Sequence, residues 1–224
     1  WIFAKRTSGR CEVGFFVNVH SVNIAVEKPA FKNCLNRADC VFADGSGVRM
    51  AAAHLGEKLL SNLNGTDLLP HICRLAAQNN QSIYFLGSEA GIAQKAAENL
   101  QATYPGMRIA GSHHGYFKAE DNAQIIAQIN QSGADICLVA MGSPVQEQWL
   151  LDHANQLQCA TALAVGGLFD FYSGKIPRAP RWLRELGFEW VWRLIQEPGT
   201  KFKRYVIGNP VFLFRTFVMN QARG

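Results

Sequence analysis

An aspartate set between a short apolar stretch and two glycines, Asp44 in Val41-Phe42-Ala43-Asp44-Gly45-Ser46-Gly47, is the residue of this chain best placed for proton chemistry. A carboxylate at a strand end is partly stripped of water yet open to a ligand. Its pKa is expected to rise toward that of a useful general base. The same aspartate in front of a helix also serves as an N-cap, and the two roles are compatible. Three more glycine turns follow apolar stretches: Gly87-Ser88 after Ile83–Leu86, Met141-Gly142-Ser143-Pro144 after Leu138–Ala140, and Gly166-Gly167 after Ala162–Val165. Glycine lets backbone N–H groups approach a ligand closely, and a following helix N-terminus favours phosphate. Four such turns point to a nucleotide-type crevice.

Gln146 and Glu147 come just after Pro144, which suits the first turn of a helix. There they bind sugar hydroxyls or hold a loop, and the helix dipole alone also favours an acid at that place. Asn64-Gly65-Thr66-Asp67 reads as a turn and cap first and a ligand loop second. The histidines do not organise: His113-His114 are adjacent, while His20, His54, His71 and His153 stand alone. There is no paired-acid DxD motif and no CxxC pair, so no metal site and no cofactor are expected. The charge of a departing diphosphate would then fall to arginines or helix dipoles.

These residues need a frame that sets them side by side. Strands are expected near Val13 to Val17, Cys40 to Ala43, Ser82 to Leu86, Met107 to Ala110, Ile136 to Met141 and Thr161 to Val165. Helices are expected near Ile24 to Arg37, Gly47 to Leu55, Asp67 to Gln78, Ala90 to Thr103, Asn122 to Gln131 and Val145 to Gln158, with Asn23, Thr66 and Asp121 as caps. Repeated β-α order with continuous apolar strands predicts an α/β, Rossmann-like, mainly parallel sheet with helices on both faces. In such sheets the ligand crevice lies beyond the carboxyl ends of the strands, where the glycine turns fall.

The chain of 224 residues is 48% hydrophobic and 17% charged, which suits one catalytic domain over 1–177 with an appendage over 178–224. No apolar run approaches the roughly 18 to 20 residues of a membrane-spanning helix. The six cysteines are scattered in apolar surroundings and read as core residues of a protein from a reducing compartment. The net charge of +5 is unevenly spread. Residues 178–224 hold nine Lys/Arg against three acids, together with nine aromatics. A basic, aromatic, helical C-terminal appendage suggests an anionic partner such as lipid headgroups, a diphosphate or nucleic acid; a docked helix with a solvated basic face is the simpler alternative.

Taken together the motifs resemble the WecG/TagA/CpsF glycosyltransferase family. The matching residues run in family order: Asn18 in Val17-Asn18-Val19-His20, Asn36-Arg37-Ala38-Asp39, Ala43-Asp44-Gly45-Ser46-Gly47-Val48, Asn64-Gly65-Thr66-Asp67 and Phe85-Leu86-Gly87. They continue with Gly115-Tyr116-Phe117, Met141 to Glu147, Val165-Gly166-Gly167-Leu168-Phe169-Asp170, Arg178-Ala179-Pro180, Gly187-Phe188-Glu189-Trp190, Arg193-Leu194 and Glu197-Pro198. Val145 stands where the family's PKQE motif has lysine, Asn62 where many members have arginine, and Phe16 where threonine is common.

The resemblance implies metal-independent, inverting transfer of an N-acetylmannosamine-type sugar, its uronate or glucose from a UDP-sugar to an undecaprenyl-diphosphate-linked sugar, at the inner face of the plasma membrane. It implies Asp44 as the base, and donor contacts from Asn18, Gly65, Thr66, Asp67, Gly87, Gly142, Gln146, Glu147, Gly166 and Gly167. Arg178, Arg181 and Arg193 would face the diphosphate, and Lys201, Lys203, Arg204 and Arg215 the anionic membrane. Oligomeric state is left open. A nucleotide-binding regulatory module with a nucleic-acid-contacting tail is the rival from another class, although no strand- or duplex-reading motif is present. An NAD-dependent oxidoreductase would need GxGxxG after the first strand, which is absent.

Overall fold

A computed structural model describes residues 1–3, 9–59 and 63–219. Asn62 and Arg223 therefore lie outside the described residues, as does the side chain of Arg181. The chain folds as β1 (Glu12–Val17), α1 (Val19–Glu27), α2 (Pro29–Asn36), β2 (Cys40–Ala43), α3 (Ser46–His54) and α4 (Gly65–Gln78). It continues with β3 (Ser82–Gly87), α5 (Ile92–Thr103), β4 (Arg108–His113), α6 (Asn122–Gln131), β5 (Ile136–Ala140), α7 (Val145–His153), β6 (Thr161–Ala164) and α8 (Leu168–Tyr172). The C-terminal segment holds α9 (Arg181–Glu185), α10 (Glu189–Gln196), α11 (Pro198–Phe202) and α12 (Gly208–Phe214), with π-helical turns at Lys203–Ile207 and Arg215–Met219.

The six strands form one sheet in the order β2-β1-β6-β5-β3-β4. The pairs β1·β6, β6·β5, β5·β3 and β3·β4 are all parallel. At the remaining edge Asp39 N–H donates to the Val13 carbonyl and Asp44 N–H to the Val17 carbonyl, a register that advances in the same direction on both strands. Every residue of β3, β5 and β6 is buried, which is why these segments read as unbroken apolar runs. Carboxylates pin the strand starts: Asp135 accepts from the Ser82 amide at 2.7 Å and Asp39 from the Val13 amide at 2.8 Å.

Right-handed crossovers decide which helix covers which face. The connection from β3 through α5 moves outward to β4, whereas that from β5 through α7 moves the opposite way to β6. Helices α4, α5 and α8 therefore share one face. Asn99 of α5 donates to the Tyr172 carbonyl at 2.9 Å, and the Tyr172 hydroxyl donates to the Thr66 carbonyl at 2.7 Å. That last bond has a covalent cause. Pro70 inside α4 has no N–H for the carbonyl four residues earlier, and Tyr172 takes its place. On the other face Trp149 of α7 donates to Asn122 of α6 at 2.8 Å. The strand order reverses between β3 and β5, so the crevice expected of an open α/β sheet lies at their carboxyl ends.

Helix boundaries differ from expectation where prolines and caps intervene. The single helix expected over Ile24 to Arg37 is two, because Pro29 forces Lys28 into an extended conformation and starts a new helix. Helix α1 begins five residues earlier than expected, capped by Asn18; Asn23 is buried in mid-helix instead. Helix α7 stops at His153, since the Ala154 carbonyl accepts from the Cys11 amide leading into β1. All six cysteines are free, five of them buried, as core residues should be. No helix among the described residues is long and apolar enough to cross a membrane.

The chain divides into two compact units: residues 1–15, 33–41 and 65–176, and residues 16–32, 42–64 and 177–224. The second unit thus takes in the expected appendage together with α1 and α3. Within it Phe212 is 3% exposed, Asn23 donates to the Gly208 carbonyl at 2.7 Å, and His54 packs on Phe217 at 4.5 Å.

Candidate functional site

In the first unit the ends of β3, β4 and β5 meet backbone to backbone. Gly87 has φ +141°, and a Cβ there would sit on the Ala140 carbonyl. Ser88, at φ +55°, donates its amide to Ala140 at 2.8 Å and accepts from Gly115 at 2.8 Å. A Cβ on Gly115 would lie 2.9 Å from Gly87 Cα. Only glycine permits this approach, so the turns after β3 and β4 are set by composition rather than by side-chain contacts.

The turns after β5 and β6 are held by side chains. Gln146 Oε1 accepts from the Gly142 amide at 3.2 Å and from the Gly166 amide at 3.0 Å, while its Nε2 donates to Glu147 Oε1 at 2.9 Å. The Ser143 hydroxyl donates to the same Glu147 oxygen at 2.6 Å. Gln146 is 2% exposed and Glu147 is 1% exposed. Burial pushes the Glu147 carboxyl above the ordinary range, opposed by the hydrogen bonds from Ser143 and Gln146. Its second oxygen is buried and accepts no hydrogen bond. Of the two roles open to this pair from sequence, sugar contact or loop support, the geometry is that of loop support. Ser143, the third member of this network, carried no signal in the sequence beyond its place beside Pro144. Val145, the departure from the family lysine, is more than half exposed. Gly167 caps α8, Gly65 begins α4 and is buried, and Asp67 lies in the first turn of α4.

In the second unit Asn18 does two things at once. Its Oδ1 accepts from the amides of His20 and Ser21 at 3.0 and 3.2 Å, capping α1, and its Nδ2 donates to Asp44 Oδ2 at 3.3 Å. An amide is the side chain that can accept from a helix end and donate to a carboxylate in the same pose. Asp44 is further fixed through its own amide on the Val17 carbonyl at 2.9 Å. The residue capping α3 is Gly45, at φ +94°, and not Asp44. The glycines around Asp44 admit close neighbours: a Cβ on Gly47 would lie 2.5 Å from Val19, and one on Gly187 would lie 3.1 Å from Ser46 Oγ. Phe16, the departure from threonine, is buried and stacked on Phe42 at 4.9 Å, so that position is a core contact here.

Of the tail cations, Arg193 pairs with Glu197 at 3.2 Å and Lys201 with the same carboxylate at 3.7 Å. Arg215 reaches Asn23 at 3.1 Å and Glu27 at 3.2 Å. Lys203 is exposed, and Arg204 lies over the Tyr205 ring at 5.3 Å. Arg178 begins the segment that ends in Pro180, the residue capping α9. Trp182, Leu186, Ile195, Phe202, Phe214 and Val218 are each more than half exposed. His20, passed over in the sequence as isolated, sits at the head of α1 with its pKa lowered to about 4, first by burial and then by Arg204 and Lys201. Its place two residues after Asn18 was the available signal. Among the described residues no cluster of three His, Cys, Asp or Glu side chains is arranged to hold a metal.

The model of the Glycosyl transferase WecG/TagA/CpsF family matches residues 1–224. An N-acetylglucosaminyldiphosphoundecaprenol N-acetyl-beta-D-mannosaminyltransferase of Staphylococcus aureus strain MW2 is 32% identical over 202 residues, covering 88% of this chain and 76% of its own length. The protein of the same description from strain NCTC 8325 / PS 47 is 33% identical over 178 residues, covering 80% and 69%. With six parallel strands, glycine turns at their carboxyl ends and a family match from the first residue to the last, this chain belongs to the WecG/TagA/CpsF family of glycosyl transferases.

Proposed function

We propose that this glycosyltransferase moves a sugar of the N-acetylmannosamine type from a UDP-sugar to an undecaprenyl-diphosphate-linked sugar, with inversion and without a metal ion. The observation that carries the reading is the Asn18–Asp44 pair, a carboxylate held at a strand end by an amide that also caps a helix. Asp44 takes the proton of the acceptor hydroxyl as that oxygen attacks the anomeric carbon. The bond from that carbon to the diphosphate oxygen breaks on the opposite side, and UDP departs with the electron pair. Arg178, Arg181 and Arg193 stabilise the charge that develops on the diphosphate. The acceptor class follows the names of the Staphylococcus aureus relatives, whose acceptor carries N-acetylglucosamine. Exposed apolar side chains and Lys203 on the tail suit the surface of an anionic membrane, where such an acceptor resides.

Incubating the full chain with UDP-N-acetylmannosamine and a synthetic diphosphate-lipid N-acetylglucosamine tests the reading. It predicts a disaccharide-lipid product with inverted anomeric configuration, formed equally in EDTA. A retained configuration would remove the single displacement. Loss of transfer in EDTA, restored by magnesium or manganese, would remove the arginine-based account of the leaving group.

A further inference from the structure

Helix α1 and the tail helix of the second unit run side by side in the same direction. Asn23 meets Gly208, and Asn23 and Glu27 meet Arg215. One turn before Asn23 on α1 stands His20, and one turn before Gly208 stands Arg204, with Lys201 a further turn back. The spacing of Lys201, Arg204, Gly208 and Arg215 keeps all four on one stripe of the helix, facing the stripe of His20, Asn23 and Glu27. At one end of this seam the charges are answered: Arg215 has Glu27. At the other end no carboxylate among the described residues pairs with Arg204, whose guanidinium lies over the ring of Tyr205 at 5.3 Å. Its Nε is buried and has no hydrogen-bond partner. A half-buried guanidinium left in that state is costly, and the costs vanish when an anion accepts its hydrogen bonds. The pKa of His20 is lowered to about 4, first by burial and then by Arg204 and Lys201, with Glu27 opposing. His20 is therefore neutral at physiological pH, a ring able to donate one hydrogen bond without adding charge.

We propose that His20, Lys201 and Arg204 form a phosphate subsite that holds the diphosphate of the lipid-linked acceptor, separate from the arginines assigned above to the leaving UDP. The assignment to the acceptor rests on the proposed glycosyl transfer; the anion site itself does not. Its chemistry is that of a phosphate ester or diphosphate bound by a guanidinium fork, an ammonium and an imidazole N–H. A lipid headgroup phosphate offers the same groups, so the source must be told apart by experiment.

Inorganic pyrophosphate titrated into the full chain at neutral pH should shift the His20 ring resonances saturably in an NMR spectrum, those of His20 being identified by their loss in His20→Gln. Arg204→Gln should abolish the shift, and Arg204→Lys, which keeps the charge but not the fork, should weaken it. In transfer assays Arg204→Gln should raise KM for the lipid acceptor by about tenfold, the usual scale for a lost charged hydrogen bond. KM for the UDP-sugar should stay as it was. Unmoved His20 resonances in the native chain would overturn the subsite, whatever the transfer assay shows. A raised KM for the UDP-sugar alone would assign the anion to the donor and overturn the acceptor claim. Lost sedimentation with phosphatidylglycerol vesicles at unchanged acceptor KM would make the site a headgroup contact, again against the proposal. If Arg204→Gln does not fold, the pyrophosphate titrations of native chain, His20→Gln and Arg204→Lys decide the matter alone.

Discussion

The two units hold their functional groups by opposite means. In the first, Gln146 and Glu147 are buried and spend their hydrogen bonds on the turns after β5 and β6, while glycines bring the turns after β3 and β4 into backbone contact. In the second, Asn18 and Asp44 are only half-buried, and cations along one helix stripe are answered unevenly. The first arrangement fixes backbone amides without offering reactive side chains. The second offers a carboxylate and basic groups that a ligand can reach. Damage to the first should therefore be read chiefly in stability, and damage to the second chiefly in turnover.

The largest stability effect expected is that of Gln146→Glu. It removes the donor to Glu147 and sets a second carboxyl beside a buried one, and a buried charge without a partner costs about 3–5 kcal/mol. Denaturant unfolding should show that loss; a variant of native stability would mean that the clamp does not hold the turns. Asn18→Asp sharpens the contrast from the other side. Aspartate caps a helix as well as asparagine does, so stability should stay within about 1 kcal/mol. Turnover should fall by about tenfold or more, because a carboxylate now faces Asp44 where an amide donated to it. Unchanged turnover there would detach Asn18 from the chemistry.

The smallest effect is a slope with pH. The folded-state pKa of Glu147 is raised above its unfolded value, so its protonated form is the one the fold prefers. Its contribution is most favourable below the ordinary carboxyl range and is lost as pH rises through the raised value. The stability of the native chain minus that of Glu147→Gln should decline from about pH 4 upward. A flat difference would show that burial does not govern this carboxyl.

Much of the frame was legible because it rests on local rules. Each of the six strands lies where apolar runs and turn residues place it, and Asp44 and the glycine turns fall at strand ends as expected. What escaped the sequence depends on partners far along the chain. Asn23 looks like a cap but is claimed by Gly208 and Arg215, nearly two hundred residues away. For Gln146 the sequence leaves sugar contact and loop support both open; its oxygen bridges Gly142 and Gly166, a pairing set by the adjacency of β5 and β6 in the sheet. Thr66, expected as a cap, matters through its carbonyl, because Pro70 leaves that group to Tyr172. Lys201 and Arg215 each pair with a carboxylate of their own unit, Glu197 and Glu27, and a count of tail charges does not reveal those pairings. Phe16 departs from the family's threonine, and its stacking on Phe42, which makes it core, is set by the pairing of two strands.

The central claim is that Asp44 is the base, and the turnover of Asp44→Asn tests it most directly. Asparagine preserves size and the hydrogen-bonding contact with Asn18 but cannot take up a proton. Calorimetry should find UDP-sugar binding and melting temperature near those of the native chain, while turnover drops by about two to four powers of ten. Turnover within a few-fold of native, with binding and folding intact, would contradict the account.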